Sequence, residues 1–159
     1  MTHGKVSGAV LADRLARIER MLAAIRRLPL ADHEAFFADE RNIWTAESCL
    51  RRALEALLDI GRHVLAKRFA LAVTEYKHIA RELGRHGVLS HDDAARLETL
   101  AGYRNRMVHF YHDVTPEELF TICDQHLGDV ETIAAACRRW AQDDADRIDD
   151  GGIELPADS

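Results

Sequence analysis

Apolar residues recur at helical intervals along most of this chain. Leu11, Leu15, Ile18, Leu22 and Ile25 alternate spacings of four and three, forming one stripe of a first helix. That helix must stop before Pro29, whose ring cannot continue it. After a turn at Ala31-Asp32, with Asp32 the candidate N-cap, Ile43, Leu50, Leu54, Leu57, Ile60 and Val64 mark a long second helix reaching about Lys67. A third helix is predicted over Ala72 to Leu83, closed by the breaker-rich Gly84-Arg85-His86-Gly87. Ser90, with Asp93 three positions on, opens a fourth whose apolar face carries Ala94, Leu97, Ala101 and Val108. Thr115, Pro116 and Glu118 supply a cap, a first-turn proline and a capping-box glutamate. They start a fifth helix that runs through Leu119, Ile122, Val130, Ile133 and Cys137 to about Trp140. Strand signals are nearly absent, so the pattern predicts an all-α fold, an antiparallel bundle of four to five helices.

Composition adds limits to this picture. With 159 residues the chain fits one domain able to bury a core without disulfides or a structural metal. Cys49, Cys123 and Cys137 are odd in number, far apart and embedded in helical segments, which yields neither a disulfide framework nor a zinc pattern. The N-terminal MTHGKVSGAV lacks a signal-peptide apolar core, and no stretch approaches a membrane span. The expectation is a cytoplasmic protein with no membrane association.

The net charge of −6, from 27 acids and 21 bases, argues at first against a nucleic-acid partner. Its distribution reverses that. Residues 143–159 hold seven of the acids (Asp143, Asp144, Asp146, Asp149, Asp150, Glu154, Asp158) and one base, Arg147, leaving 20 of each elsewhere. Residues 1–142 are thus a neutral helical domain that can carry one basic groove. The acidic tail, with Gly151-Gly152, Pro156 and few apolar residues, is expected to be disordered.

The candidate chemistry lies in AGYRNRMVHFYHDV, residues 101–114, where two arginines, two histidines, an asparagine and two tyrosines crowd together. Arg104 and Tyr111 are seven apart, about 20° short of two helical turns, so a helix persisting that far places them on one face. Arg104 and His109 are five apart, about 140° around the axis, and need a long arginine stem or a second helix to meet. Asn105 precedes His109 by four, where its amide can orient the imidazole. An arginine matches phosphate oxygens bidentately and stabilises the extra charge of a phosphoryl transition state. A histidine titrating near neutrality takes a proton from a ribose 2′-hydroxyl or gives one to a leaving 5′-oxygen. Arginine and histidine at a helix end also hydrogen-bond the last carbonyls, so residue types alone leave both readings open.

The flanking segments narrow the choice. RNRMVHFY, Arg104 to Tyr111, resembles the R-x-x-x-x-H-x-Y signature of HepT-like toxins, a branch of the HEPN ribonuclease domains. LRRALEALLDIGRHVLAKR, EYKHIARELGRHGVLS, LAGYRNRMVHFY and DVTPEELFTI agree with that family in order, over roughly Ile43 to Trp140. The resemblance implies a HEPN-type helical homodimer with two motifs lining a shared cleft. It implies a metal-independent endoribonuclease toxin, needing no cofactor, paired with a minimal nucleotidyltransferase antitoxin. By position it implies catalytic Arg104 and His109, a supporting Asn105, and Tyr111 as acceptor of AMP. Arg106 and His112 flank the motif as possible phosphate contacts, with surface solvation as the alternative. A second reading keeps the HEPN domain as a non-catalytic module that binds nucleotide or a nucleotidyltransferase.

Other features read more plainly. Glu75-x-x-His78 resembles half of a di-iron site, but the second E-x-x-H is missing, so no metal site is expected. Trp44 and Trp140 read as core or interface aromatics. Gly61, inside the second helix at a cost of about 1 kcal/mol relative to alanine, predicts close helix approach.

Overall fold

The structure, a computed structural model, describes residues 4–109 and 114–149. Its elements in chain order are β1 (Val6–Ser7), α1 (Gly8–Arg26), α2 (His33–Phe37), α3 (Glu40–Phe69), α4 (Tyr76–Arg85), α5 (His91–Val108), α6 (Pro116–Gln125), α7 (Leu127–Gln142) and β2 (Ile148–Asp149). The all-α bundle is as the apolar pattern predicts. The central element is the 30-residue α3, which buries Leu50, Leu54, Leu57, Ile60, Val64 and Leu65 against its neighbours. Fully burying one such side chain is worth about 1.5–3 kcal/mol, so this stripe anchors the bundle.

Gly61 sits where α3 meets α4. A Cβ there would lie 2.8 Å from both Ile79 Cγ2 and Leu83 Cδ1, so the missing side chain permits the close approach. Among the described residues there are seven helices rather than four or five, because two predicted elements divide. Asp32 caps the short α2, not the long helix; Asp39, at φ −130° and ψ 112°, breaks the chain again and caps α3 by accepting from the Arg41 amide. Aromatic packing holds α2 in place, with the Phe36 and Phe120 ring centroids 5.0 Å apart. The last predicted helix breaks at His126, at φ −119° and ψ 3°, into α6 and α7.

The predicted start of the third helix is also too early. Ala70 adopts left-handed φ 54° and ends α3, and α4 begins only after Glu75, whose carboxylate accepts from the Lys77 and His78 amides at 2.9 and 2.8 Å. Glu75 therefore serves as a helix cap. The acidic segment is ordered against the body through Asp149: β2 pairs in parallel with β1, and Arg68 Nη1 donates to the Asp146 carbonyl at 2.9 Å. Of the tail expected to be disordered, residues 143–149 are described and residues 150–159 lie outside the described ones.

Candidate active site

The motif helix α5 starts as predicted, with the Ser90 hydroxyl accepting from the Asp93 amide at 3.1 Å. Its buried face is Ala94, Leu97, Leu100 and Ala101. Arg104 lies one turn beyond that stripe, on its edge, and its side chain is 22% exposed. The long stem is thus sheltered while the head reaches a neighbouring helix.

Two side chains meet that head. Arg104 Nε donates to Glu55 Oε1 on α3 at 3.2 Å. The guanidinium carbon lies 4.5 Å from the ring centroid of Tyr76, the first residue of α4. Arg51 Nη1 also reaches Glu55 Oε1, at 3.4 Å, and the Arg62 guanidinium lies 5.4 Å from the Tyr76 ring centroid. Three arginines thus gather around one carboxylate and one aromatic ring. An arginine offers five donors, and the bond to Glu55 is made by Nε rather than by a terminal nitrogen.

His109 stands outside the helix. α5 ends at Val108; His109 has φ −92° and ψ 120°, and its amide donates to the Asn105 carbonyl at 3.0 Å. The residue is exposed. As the C-cap, His109 keeps the helical bond and so about the 140° separation from Arg104, and the chain turns away from the helix only after it. The bond joining Asn105 to His109 is main-chain to main-chain. The expectation that Arg104 and Tyr111 share a helix face falls on residues beyond the end of α5 at Val108. Tyr111 and His112 themselves lie outside the described residues.

Arg106 is engaged elsewhere. Its Nη1 and Nη2 donate to the two Glu118 carboxylate oxygens at 2.6 and 2.7 Å, tying the end of α5 to the start of α6. This hydrogen bond lowers the Glu118 carboxyl below the usual carboxylate range. Glu118 therefore does not complete the predicted capping box, although its amide does donate to the Thr115 hydroxyl at 3.2 Å. Val108, expected on the apolar face, is 42% exposed, and Trp44 is 61% exposed. Trp140 is buried, with Arg147 over its ring at 4.7 Å. A groove of about 1090 Å³ runs between α1 and α7 and includes no residue of α5.

Glu55 and Tyr76 are the residues that motif reading missed. Their signals were Arg51-x-x-x-Glu55, an i,i+4 pair beside a buried stripe, and an aromatic at the very start of α4. Neither pattern distinguishes a site from a solvated helix face until tertiary packing brings Arg104 to both.

A family model described as ribonuclease HepT-like matches residues 13–137, and the chain belongs to that family. The tRNA nuclease HepT of Aphanizomenon flos-aquae (strain 2012/KM1/D3) is 25% identical over 116 residues, 72% of this chain and 78% of that protein. A tri-AMPylated Shewanella oneidensis HEPN toxin, solved in complex with an MNT antitoxin, superposes with a TM-score of 0.74 at 20% identity, over 81% of this chain and 96% of that one. The Bacillus subtilis cytosolic protein YutE, of unknown function, superposes at 0.71 and 18% identity, over 88% and 94%. Among the described residues no helix is long and apolar enough to cross a membrane.

Proposed function

We propose that this chain is the ribonuclease toxin of a two-gene toxin–antitoxin module and cuts RNA without a metal. The observation that carries the reading is Arg104, Asn105 and His109 at the end of α5 in a HepT-like fold, followed in the sequence by Tyr111, with Arg104 held at the surface of the bundle. In the reaction a ribose 2′-oxygen attacks the adjacent phosphorus and the 5′-oxygen leaves, giving a 2′,3′-cyclic phosphate and a 5′-hydroxyl. His109 takes the 2′-hydroxyl proton or protonates the departing oxygen. Arg104 stabilises the charge that builds on the non-bridging oxygens. Asn105 supports His109, and Arg106 and His112 remain candidate phosphate contacts, Arg106 only on leaving Glu118.

A homodimer fits this chemistry, since a two-fold axis brings two copies of the motif to one cleft and so supplies both a base and an acid. Exposed Val108, beside His109, and exposed Trp44 are apolar surface for such a contact. The relative called a tRNA nuclease makes tRNA the first substrate to try. The tri-AMPylated toxin held by its antitoxin supports a nucleotidyltransferase partner that attaches AMP to Tyr111. An adenylate there adds negative phosphate and bulk near a motif that must receive RNA phosphate, so it competes with substrate.

The test is expression of the chain alone and then with the nucleotidyltransferase proposed as its partner, reading growth and RNA integrity. Toxicity and RNA loss are expected from the chain alone and relief from the pair. Tyr111→Phe should stay toxic in both settings. A harmless chain that leaves RNA intact would favour the non-catalytic binding module.

A further inference from the structure

The surroundings of Arg104 pose a question that phosphate binding by itself does not answer. A site for a polyanion gains nothing from a carboxylate 3.2 Å from its main cation, yet Glu55 occupies that position. Its Oε1 receives Arg104 Nε and lies 3.4 Å from Arg51 Nη1, so one oxygen serves cations on α5 and α3 together. Tyr76, on a third helix, presents its ring 4.5 Å from the same guanidinium. An edge contact restricts rotation of the guanidinium in its plane, and a face contact restricts tilt. Together they hold a flexible side chain that otherwise carries about 2 kcal/mol of rotamer entropy.

We propose that Glu55 is a positioning residue for Arg104. It holds the Nε edge so that the terminal nitrogens face the scissile phosphate, and Tyr76 fixes the tilt of the plane. Arg51, on the same oxygen, offsets part of the repulsion Glu55 exerts on RNA. This rests on the ribonuclease reading above and adds a residue to it.

The proposal separates two effects of removing the charge. As a mere negative charge near the substrate, Glu55 opposes RNA binding, and its neutralisation would tighten binding and leave kcat alone. As a positioning group it acts on the transition state, and its loss lowers kcat; misplacement of a catalytic group by about 1 Å costs on the order of 10²-fold. Glu55→Gln in the full-length protein should therefore lower kcat by about 10- to 100-fold. Affinity for a non-cleavable 2′-O-methyl RNA should be unchanged or a few-fold tighter. Tyr76→Leu, which removes the ring from the Arg104 guanidinium, should lower kcat in the same sense. The Arg104 Nε–H resonance, assigned by its loss in Arg104→Ala, should move in Glu55→Gln.

Unchanged kcat in Glu55→Gln, or a loss confined to RNA affinity, overturns the proposal. Should Glu55→Gln fail to fold, Tyr76→Leu with wild-type kcat overturns it equally. If the wild-type protein cleaves no RNA, the ribonuclease reading fails by itself. The resonance then decides for Glu55, and an Nε–H signal unmoved by Glu55→Gln refutes the positioning role.

Discussion

Truncating Arg104 to alanine removes two contacts from the fold and one group from the reaction, and the two losses differ in size. The ion pair with Glu55 joins side chains 22% and 28% exposed, where such pairs contribute on the order of 0.2–1 kcal/mol. The stacking on Tyr76 adds about 0.5–1 kcal/mol. Glu55 is not stranded, because Arg51 still approaches the same oxygen at 3.4 Å. The stability cost is therefore about 1–2 kcal/mol, a fall of roughly 2–8 °C in Tm for a domain of this size. Even from a native stability of only about 5 kcal/mol, the remainder leaves about one molecule in a hundred or fewer unfolded. Removing one donor that stabilises transition-state charge costs about 10²–10³ in rate, or ~2.7–4 kcal/mol. Circular dichroism with thermal melts gives the first quantity, and cleavage of a labelled RNA under single-turnover conditions gives the second. A near-wild-type helical signal with cleavage reduced at least about 100-fold is expected. Cleavage within about threefold of wild type would refute the assignment of Arg104, since that little change cannot be the loss of a transition-state contact.

Three further outcomes follow from other contacts. His63 accepts the Ser7 amide on Nε2 at 2.9 Å, which requires that nitrogen unprotonated, and burial, with Lys67 and Arg14 nearby, lowers its pKa from the ordinary 6.5. A depressed folded-state pKa means the unfolded chain binds the proton more tightly, so this stabilisation is present above about pH 6.5 and is lost as pH falls below it. Melting temperatures of wild type and His63→Asn measured across pH 5–8 should show a steeper acid-side decline in the wild type; equal slopes would contradict the role. Arg106→Ala breaks the tie between α5 and α6, a pair half open to solvent, so it should lower Tm slightly, by an amount that shrinks as salt is raised. A salt-independent loss would point to packing instead. Burial pushes the Cys123 and Cys137 thiols up to about 12, so a thiol reagent at pH 8 should label at most one cysteine per native chain, Cys49. Rapid labelling of three would show the α6 and α7 packing to be wrong.

The main helices were legible because burial enforces a period, and Leu50, Leu54, Leu57, Ile60 and Val64 on α3 keep it without interruption. Where local chemistry offered two caps in succession, Asp32 and Asp39, the periodic pattern merged a short helix with a long one; the aromatic cluster that stabilises α2 involves Phe120, distant in sequence and invisible to a window of neighbours. His126 broke the last helix with only Gly128 as a nearby signal. At the site, the residue types and spacing of Arg104, Asn105 and His109 were readable along the chain. The end of α5 at Val108 was not, since no proline or glycine marks it. Glu55 and Tyr76 come to Arg104 from two other helices, and such contacts are fixed by tertiary packing rather than local pattern.

The most direct measurement of the central claim is the chemistry of the ends produced when purified protein cuts a defined tRNA in the presence of EDTA. The account expects cleavage to persist, to leave 2′,3′-cyclic phosphate and 5′-hydroxyl termini, and to vanish in His109→Ala with the helical signal intact. Products ending in 3′-hydroxyl and 5′-phosphate, or cleavage abolished by EDTA and restored by Mg²⁺, would contradict it.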